Sequence, residues 1–252
     1  MLRMNLKGLL AAVTAVSLAA VPALALTRQE VRMIQDNVEK AFLLHYLHRN
    51  KDKVHAASGT IRSIGVRIVR ATGQAFSNTA HFYEMETPDV NASTSPGGNV
   101  FLYRGLLNGN LSQDETAAVL AHEIAHIMHL HWLQRLVRGI NAQKVAQYAA
   151  KAYGRDSAEI AYLNEQLQNL RYDRSEELQA DETGARLMVT AGFKPQGMVT
   201  LLSKVQALES PAQKAMGRKP FLSNHPAIPD RIARMQMLIN SGRLQPIKKR
   251  LY

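Results

Sequence analysis

The 252-residue chain has 31 basic and 20 acidic residues, a formal net charge of +11, 46% hydrophobic and 20% charged residues, and no cysteine. This excludes a disordered chain, a disulfide scaffold and a lipid-modified N-terminal cysteine, and it leaves room for one ordinary core or two small ones. The basic balance alone is compatible with nucleic acid, an anionic membrane surface, acidic substrates, or simply a soluble alkaline protein.

The N-terminus narrows that choice. Arg3 and Lys7 precede an uncharged, mostly apolar run from Gly8 to Ala25 that ends in Ala23-Leu24-Ala25. This is the layout of a cleavable secretory signal over residues 1–25, with Leu26 as the first mature residue. The run is short and diluted for a membrane anchor, and no later segment is long and apolar enough to span a bilayer. We therefore expect one exported domain over 26–252, with the bacterial periplasm as its compartment. Export argues against nucleic acid and leaves peripheral contact with an anionic membrane surface as a use for the charge.

Thr27-Arg28-Gln29-Glu30 reads as a capping box, and Val31, Ile34, Val38, Phe42 and Tyr46 continue a helix to about His48. Residues 51–58 read as a polar loop, and Ile61, Ile64, Val66, Ile68 and Val69 suggest a second helix. Thr79–Thr87, Val90–Ser95 and Asn99–Tyr103 are rich in β-formers and are separated by Pro88 and by Pro96-Gly97-Gly98, which predicts three strands in a small antiparallel sheet. Ser112-Gln113-Asp114-Glu115 is a second capping box, opening a long helix to Val137. Further helices are expected at about 141–153, 158–190, 196–208 and 228–240. The fold class is α+β, mostly helical.

Residues 122–126 read H-E-I-A-H. Positions four apart on a helix differ by only about 40°, so both imidazoles project from one face and can bind one ion. Zinc accepts imidazole nitrogen, and a catalytic zinc site keeps one position for water. Glu123 stands beside His122, placed to act as general base on that water. A chance match is the competing reading, but Val119, Leu120, Ile124 and Ile127 set the motif within a capped helix.

A third ligand is needed. His129 shares the face of His122 but lies about 10 Å along a straight helix, and His131 points to the opposite side. Both are expected to pack or hydrogen-bond instead. Glu177 and Asp181 are also four apart, in R-S-E-E-L-Q-A-D-E-T-G from Arg174 to Gly184. One could ligate while the other accepts an N–H from a ligating imidazole. Ala180 and Gly184 beside them allow close helix packing.

Together, H-E-I-A-H, E-L-Q-A-D-E-T-G and the downstream H-P-A-I-P-D-R-I resemble the family-forty-eight metallopeptidases, gluzincins that include HtpX-like proteases and type 1 CAAX prenyl proteases. The segment from Asn91 to Leu107 is similar to that family's strand-turn-strand, and the resemblance extends from about Asn91 to Met235. It implies a zincin-type domain with one Zn²⁺ held by His122, His126 and Glu177, Glu123 as base and Asp181 supporting the ligands. The chain resembles the short exported bacterial branch rather than the membrane-embedded members.

His225-Pro226 precedes Arg231. We expect His225 near the zinc, stabilising an oxyanion or capping the open position, and Arg231 bracing the helix of Glu177 and Asp181. The strand before the active-site helix could pair with an extended peptide. The reading is a zinc endopeptidase acting on unfolded or misassembled envelope polypeptides. The other reading is a chaperone or binding module that retains a structural zinc, which would keep its activity on Glu123→Gln.

Overall fold

Thr27 and Glu30 cap each other: Thr27 N–H donates to Glu30 Oε2 at 2.7 Å, and Glu30 N–H donates to Thr27 Oγ1 at 3.2 Å. They open helix α1 (Arg28–Ala41), which buries Val31, Ile34 and Val38. The computed structural model describes residues 26–41, 50–73, 80–151, 162–163, 166, 171–208, 225 and 228–247. The signal sequence at 1–25, the expected extension of the first helix to His48, the start of the expected 158–190 helix and the basic tail at 248–250 lie outside the described residues.

The expected loop at 51–58 contains a strand, β1 (Val54–Ala56). Three residues are too few to show a period of two. The strand exists because it pairs antiparallel with β2 (His81–Met85), Val54 opposite Met85 and Ala56 opposite Tyr83. Between them runs α2 (Gly59–Ala71), whose N-cap Ser58 accepts from Ile61 N–H and whose inner face is Ile61, Ile64, Ile68 and Val69.

Strands β3 (Ala92–Thr94) and β4 (Asn99–Tyr103) form an antiparallel hairpin. The expected wholly antiparallel sheet is corrected here. The order is β1-β2-β4-β3, and β2 pairs parallel with β4, so the four-stranded sheet is mixed. Strand β4 is buried at all five residues, as its unbroken Val100-Phe101-Leu102 run requires of a strand covered on both faces. In that order β2 and β4 are the inner strands, and β1 and β3 lie at the edges.

After the short α3 (Arg104–Leu107) comes α4 (Gln113–Met128), opened by the Ser112/Glu115 capping box. Every residue from Glu115 to Ile127 is buried, so α4 is the axis of the domain rather than a half-exposed helix. The expected run to Val137 breaks at Leu130, which adopts left-handed φ 54°, and α5 (His131–Ile140) leaves in a new direction. α6 (Ala142–Lys151) follows. α7 (Arg174–Thr190) starts at a third capping box, Asp173 with Glu176, inside the span expected to form one longer helix. α8 (Gln196–Leu208) and α9 (Ile228–Asn240) complete the described helices.

The main core joins α2, the sheet, α4, α7, α8 and α9. A second cluster joins Val31, Ile34 and Val38 of α1 to Trp132, Leu133 and Leu136 of α5 and Val145 of α6. Among the described residues, no helix is long and apolar enough to cross a membrane.

Candidate metal centre

Helices α4 and α7 pack against each other so closely that a Cβ on Gly184 would lie 3.1 Å from His122 N and 3.2 Å from the Ala121 carbonyl carbon. This approach brings the face carrying His122 and His126 against the face carrying Glu177 and Asp181. The capping box turns Glu176 away: its carboxylate accepts from Asp173 N–H at 2.9 Å and from Arg138 Nη1 and Nη2 at 2.6 and 2.9 Å. Glu177, the next residue, is therefore the one that faces α4.

His122 Nε2 and His126 Nε2 are 3.0 Å apart. Glu177 Oε1 lies 3.3 Å from His126 Nε2, and Glu177 Oε2 lies 3.6 Å from His122 Nε2. His225 Nδ1 closes the group, 3.3 Å from His122 Nε2 and 2.9 Å from Glu177 Oε1. All four side chains are buried, and their candidate ligand atoms lie within 4.8 Å of one another.

These separations suit a metal. Donor atoms at tetrahedral corners around an ion, with bonds of ~2.0–2.1 Å, stand about 3.3 Å from each other. Two imidazole nitrogens and a carboxylate oxygen converging on one point form a donor set that a divalent cation accepts. Glu123 adds a second indication: both its oxygens are buried and have no hydrogen-bond partner among the described residues, and the nearest cationic candidate, His225 Nε2, is 3.8 Å from Oε1. A buried carboxylate without a donor signals that something else belongs beside it.

Behind the histidines lies a charged frame. His122 Nδ1 is 3.0 Å from Asp181 Oδ1. Arg231, 1% exposed, reaches in from α9 and donates from Nε to Asp181 Oδ2 at 2.7 Å and from Nη2 to Oδ1 at 2.8 Å, while Nη1 lies 2.5 Å from Glu177 Oε2. The bidentate fork fixes the Asp181 plane.

Burial pushes the Asp181 carboxyl up, but Arg231 and the His122 N–H outweigh it and hold it below its ordinary value. Glu177 is held well below the carboxylate range because His225, Arg231 and His126 together outweigh burial. Glu123, with weaker compensation, is raised by burial. His126 is driven well below its usual value by burial and by His122. His122 moves the other way, since Asp181 and Glu177 overcome its burial.

The structure thus brings together His122, Glu123, His126, Glu177, Asp181, His225 and Arg231, residues spread over more than a hundred positions of sequence. One expectation about neighbours is corrected. His131 does not point away: its Nδ1 is 2.8 Å from His126 Nδ1 and its Nε2 is 2.9 Å from Gln179 Oε1. Nothing in the sequence singles out Tyr172, yet its ring stacks on His126 at 3.7 Å between centroids, with Arg135 3.8 Å over it. No glycine or proline marks the break at Leu130, so the sequence carries no signal for either contact. His129 hydrogen-bonds Thr183 Oγ1 at 2.8 Å, away from the cluster, as expected of a packing residue.

A buried H-E-x-x-H helix clamped against an acidic helix, with a group that fits a metal, defines a metallopeptidase. The chain belongs to Peptidase family M48, whose model matches residues 55–239, from β1 into α9. Among its relatives, the mitochondrial metalloendopeptidase OMA1 of Schizosaccharomyces pombe is 28% identical over 82% of this chain and 60% of its own length. The beta-barrel assembly-enhancing protease of Escherichia coli is 27% identical over 69% of this chain and 37% of its own length. A putative protease of the same description from Vibrio cholerae is 30% identical over 68% and 37%. The chain thus spans about three fifths of the fission-yeast relative and little more than a third of the bacterial ones.

Proposed function

We propose that the protein is a zinc-dependent endopeptidase, with His122, His126 and Glu177 as the protein ligands. Zinc bound there supplies Lewis-acid polarisation and makes water a competent nucleophile near neutral pH. The convergence of two imidazole nitrogens and one carboxylate, within 3.0–3.6 Å of one another, is the observation that carries this reading.

The remaining chemistry belongs to the chain. Glu123 accepts the proton of the attacking water and returns it to the leaving amine. Its buried, donor-free carboxylate and raised proton affinity suit a base that cycles between both states. Asp181 accepts the His122 Nδ1–H, leaving Nε2 bare for the ion, and Arg231 keeps that carboxylate ionised in the interior. His225 Nδ1, 3.3 Å from His122 Nε2 and 2.9 Å from Glu177 Oε1, would cap the open position of the resting site and yield it in turnover to the water that Glu123 activates.

The substrates we propose are unfolded or misassembled envelope polypeptides, reached after export by the signal at 1–25 into the periplasm. The bacterial relatives named for β-barrel assembly support this, as does the A-x-A layout. The edge position of β3, packed against α4, suits pairing with an extended chain.

The test is casein digestion paired with zinc quantitation for wild type, Glu123→Gln and His225→Ala. Glu123→Gln should keep zinc and lose at least ~10²-fold in turnover. Retained digestion in that variant would refute the enzyme reading. His225→Ala should alter turnover and the spectrum of the cobalt-substituted protein, and the capping role fails if both stay as in wild type.

A further inference from the structure

An uninterrupted α4 would turn His131 away from His126, since five residues along a helix amount to a rotation of about 140° from the starting face. The chain avoids this at Leu130. Its backbone sits at φ 54°, ψ 32°, a conformation that costs a side-chain-bearing residue roughly 1–2 kcal/mol. The cost is sustained by packing: Leu130 is 1% exposed within the cluster shared with α1, α5 and α6. Arg138, further along α5, is clamped on Glu176 of α7. A strained, buried, non-glycine residue beside a functional group points to something the strain achieves.

What it achieves is a chain of hydrogen bonds, Gln179 to His131 to His126. Its ends define its direction. Gln179 Oε1 is an acceptor, so His131 Nε2, 2.9 Å away, carries a proton. A neutral His131 then has a bare Nδ1. The His126 Nδ1 facing it at 2.8 Å must be the donor. His126 is left with a bare Nε2, the atom that meets His122 and Glu177. The geometry is held on both sides. The His129 ring stacks on His131 at 5.3 Å and 21°, with its own Nε2 on Thr183, and Tyr172 stacks on His126.

We infer that His131, oriented by Gln179, is a positioning residue that locks His126 in the tautomer able to bind the metal. The inference rests on the zinc reading proposed above. The two histidines of the motif reach one state by different means. His122 turns Nδ1 toward a buried carboxylate 3.0 Å away that arginine braces. His126 donates to a neutral imidazole backed by an amide. Without an acceptor at Nδ1, His126 can place its proton on Nε2, and the ion must displace it. Partners of this kind are worth about 10–100-fold in metal affinity.

The test measures zinc affinity of the metal-stripped full chain by competition with a chromophoric chelator, together with the visible spectrum of the cobalt-substituted form. His131→Phe keeps a ring without an acceptor. His131→Asn offers a carbonyl oxygen close to the place of Nδ1. Gln179→Met keeps length without an acceptor. We expect His131→Phe to bind zinc about 10–100-fold more weakly with an altered cobalt spectrum, Gln179→Met to shift the same way by less, and His131→Asn to recover most of the loss. Metal-free melting temperatures report folding separately. Should His131→Phe fail to fold, Gln179→Met, an exposed position, decides. Wild-type affinity in both folded variants, or no recovery in His131→Asn, would overturn the relay while leaving the metal site standing. A wild-type chain that binds no zinc would overturn the metal reading itself, and the relay with it.

Discussion

The α4–α7 pair and the four-stranded sheet are built on opposite principles. In the helix pair, His122 and His126, and Glu177 and Asp181, each stand four residues apart, and the two faces meet because Ala180 and Gly184 let them. In the sheet, nothing in β2, β3 or β4 states which strand lies beside which. The hairpin of β3 and β4 is local, but the parallel β2–β4 pairing joins His81 to Asn99 across an intervening strand. Spacing therefore suffices for the first region and not for the second. The stability of the two should also respond differently to substitution and to pH.

The largest effect is expected at the helix pair. Arg231→Met leaves Asp181 and Glu177 buried without their cation, which should cost about 3–5 kcal/mol in urea denaturation of the metal-free protein. A loss below about 1 kcal/mol would mean that water, not Arg231, compensates those carboxylates.

The sheet offers the second test. Glu39 of α1 reaches the β3–β4 turn, where Oε2 accepts Gly97 N–H at 2.7 Å, and Oε1 accepts from Ser95 Oγ at 3.0 Å and from Asn99 Nδ2. Burial nevertheless pushes its carboxyl up to about 7 from 4.5, against those donors. A carboxyl raised on folding binds its proton more tightly in the native state. Its contribution is therefore complete below about pH 4.5 and disappears as pH rises through about 7. Glu39→Gln should flatten the stability-against-pH curve by about 3 kcal/mol over that window relative to wild type. Parallel curves would show that Glu39 stays ionised throughout.

The smallest effect is expected from packing alone. Gly184→Val pushes methyl groups toward the α4 backbone beside His122, where even a Cβ would be 3.1 Å from a backbone nitrogen, and should cost about 1–3 kcal/mol. The same variant should weaken metal binding at the cluster by separating Glu177 from the two histidines. Unchanged melting would mean that α7 shifts freely and that close approach is not what builds the site.

Much of the centre is legible in the order of residues. His122, Glu123 and His126 lie within one helical turn or so, and Glu177 and Asp181 share a face by the same period. His225 and Arg231 stand out beside a proline, and both arrive at the cluster. The sheet is partly legible: its strands stand out by composition, but β1 is too short to show alternation, and the parallel pairing leaves no trace. His131 and Tyr172 are not legible as partners of His126. The first depends on one left-handed residue with an ordinary side chain, and the second on where a segment lies after dozens of intervening positions.

The division follows the range of the forces involved. Caps and shared helix faces are contacts between residues three or four apart, so the order of amino acids alone dictates them. Strand order, the turn at Leu130 and the grip of Arg231 on Asp181 join residues brought near only by the packed core. Burial around α4 is what removed water from these groups and made their mutual placement matter.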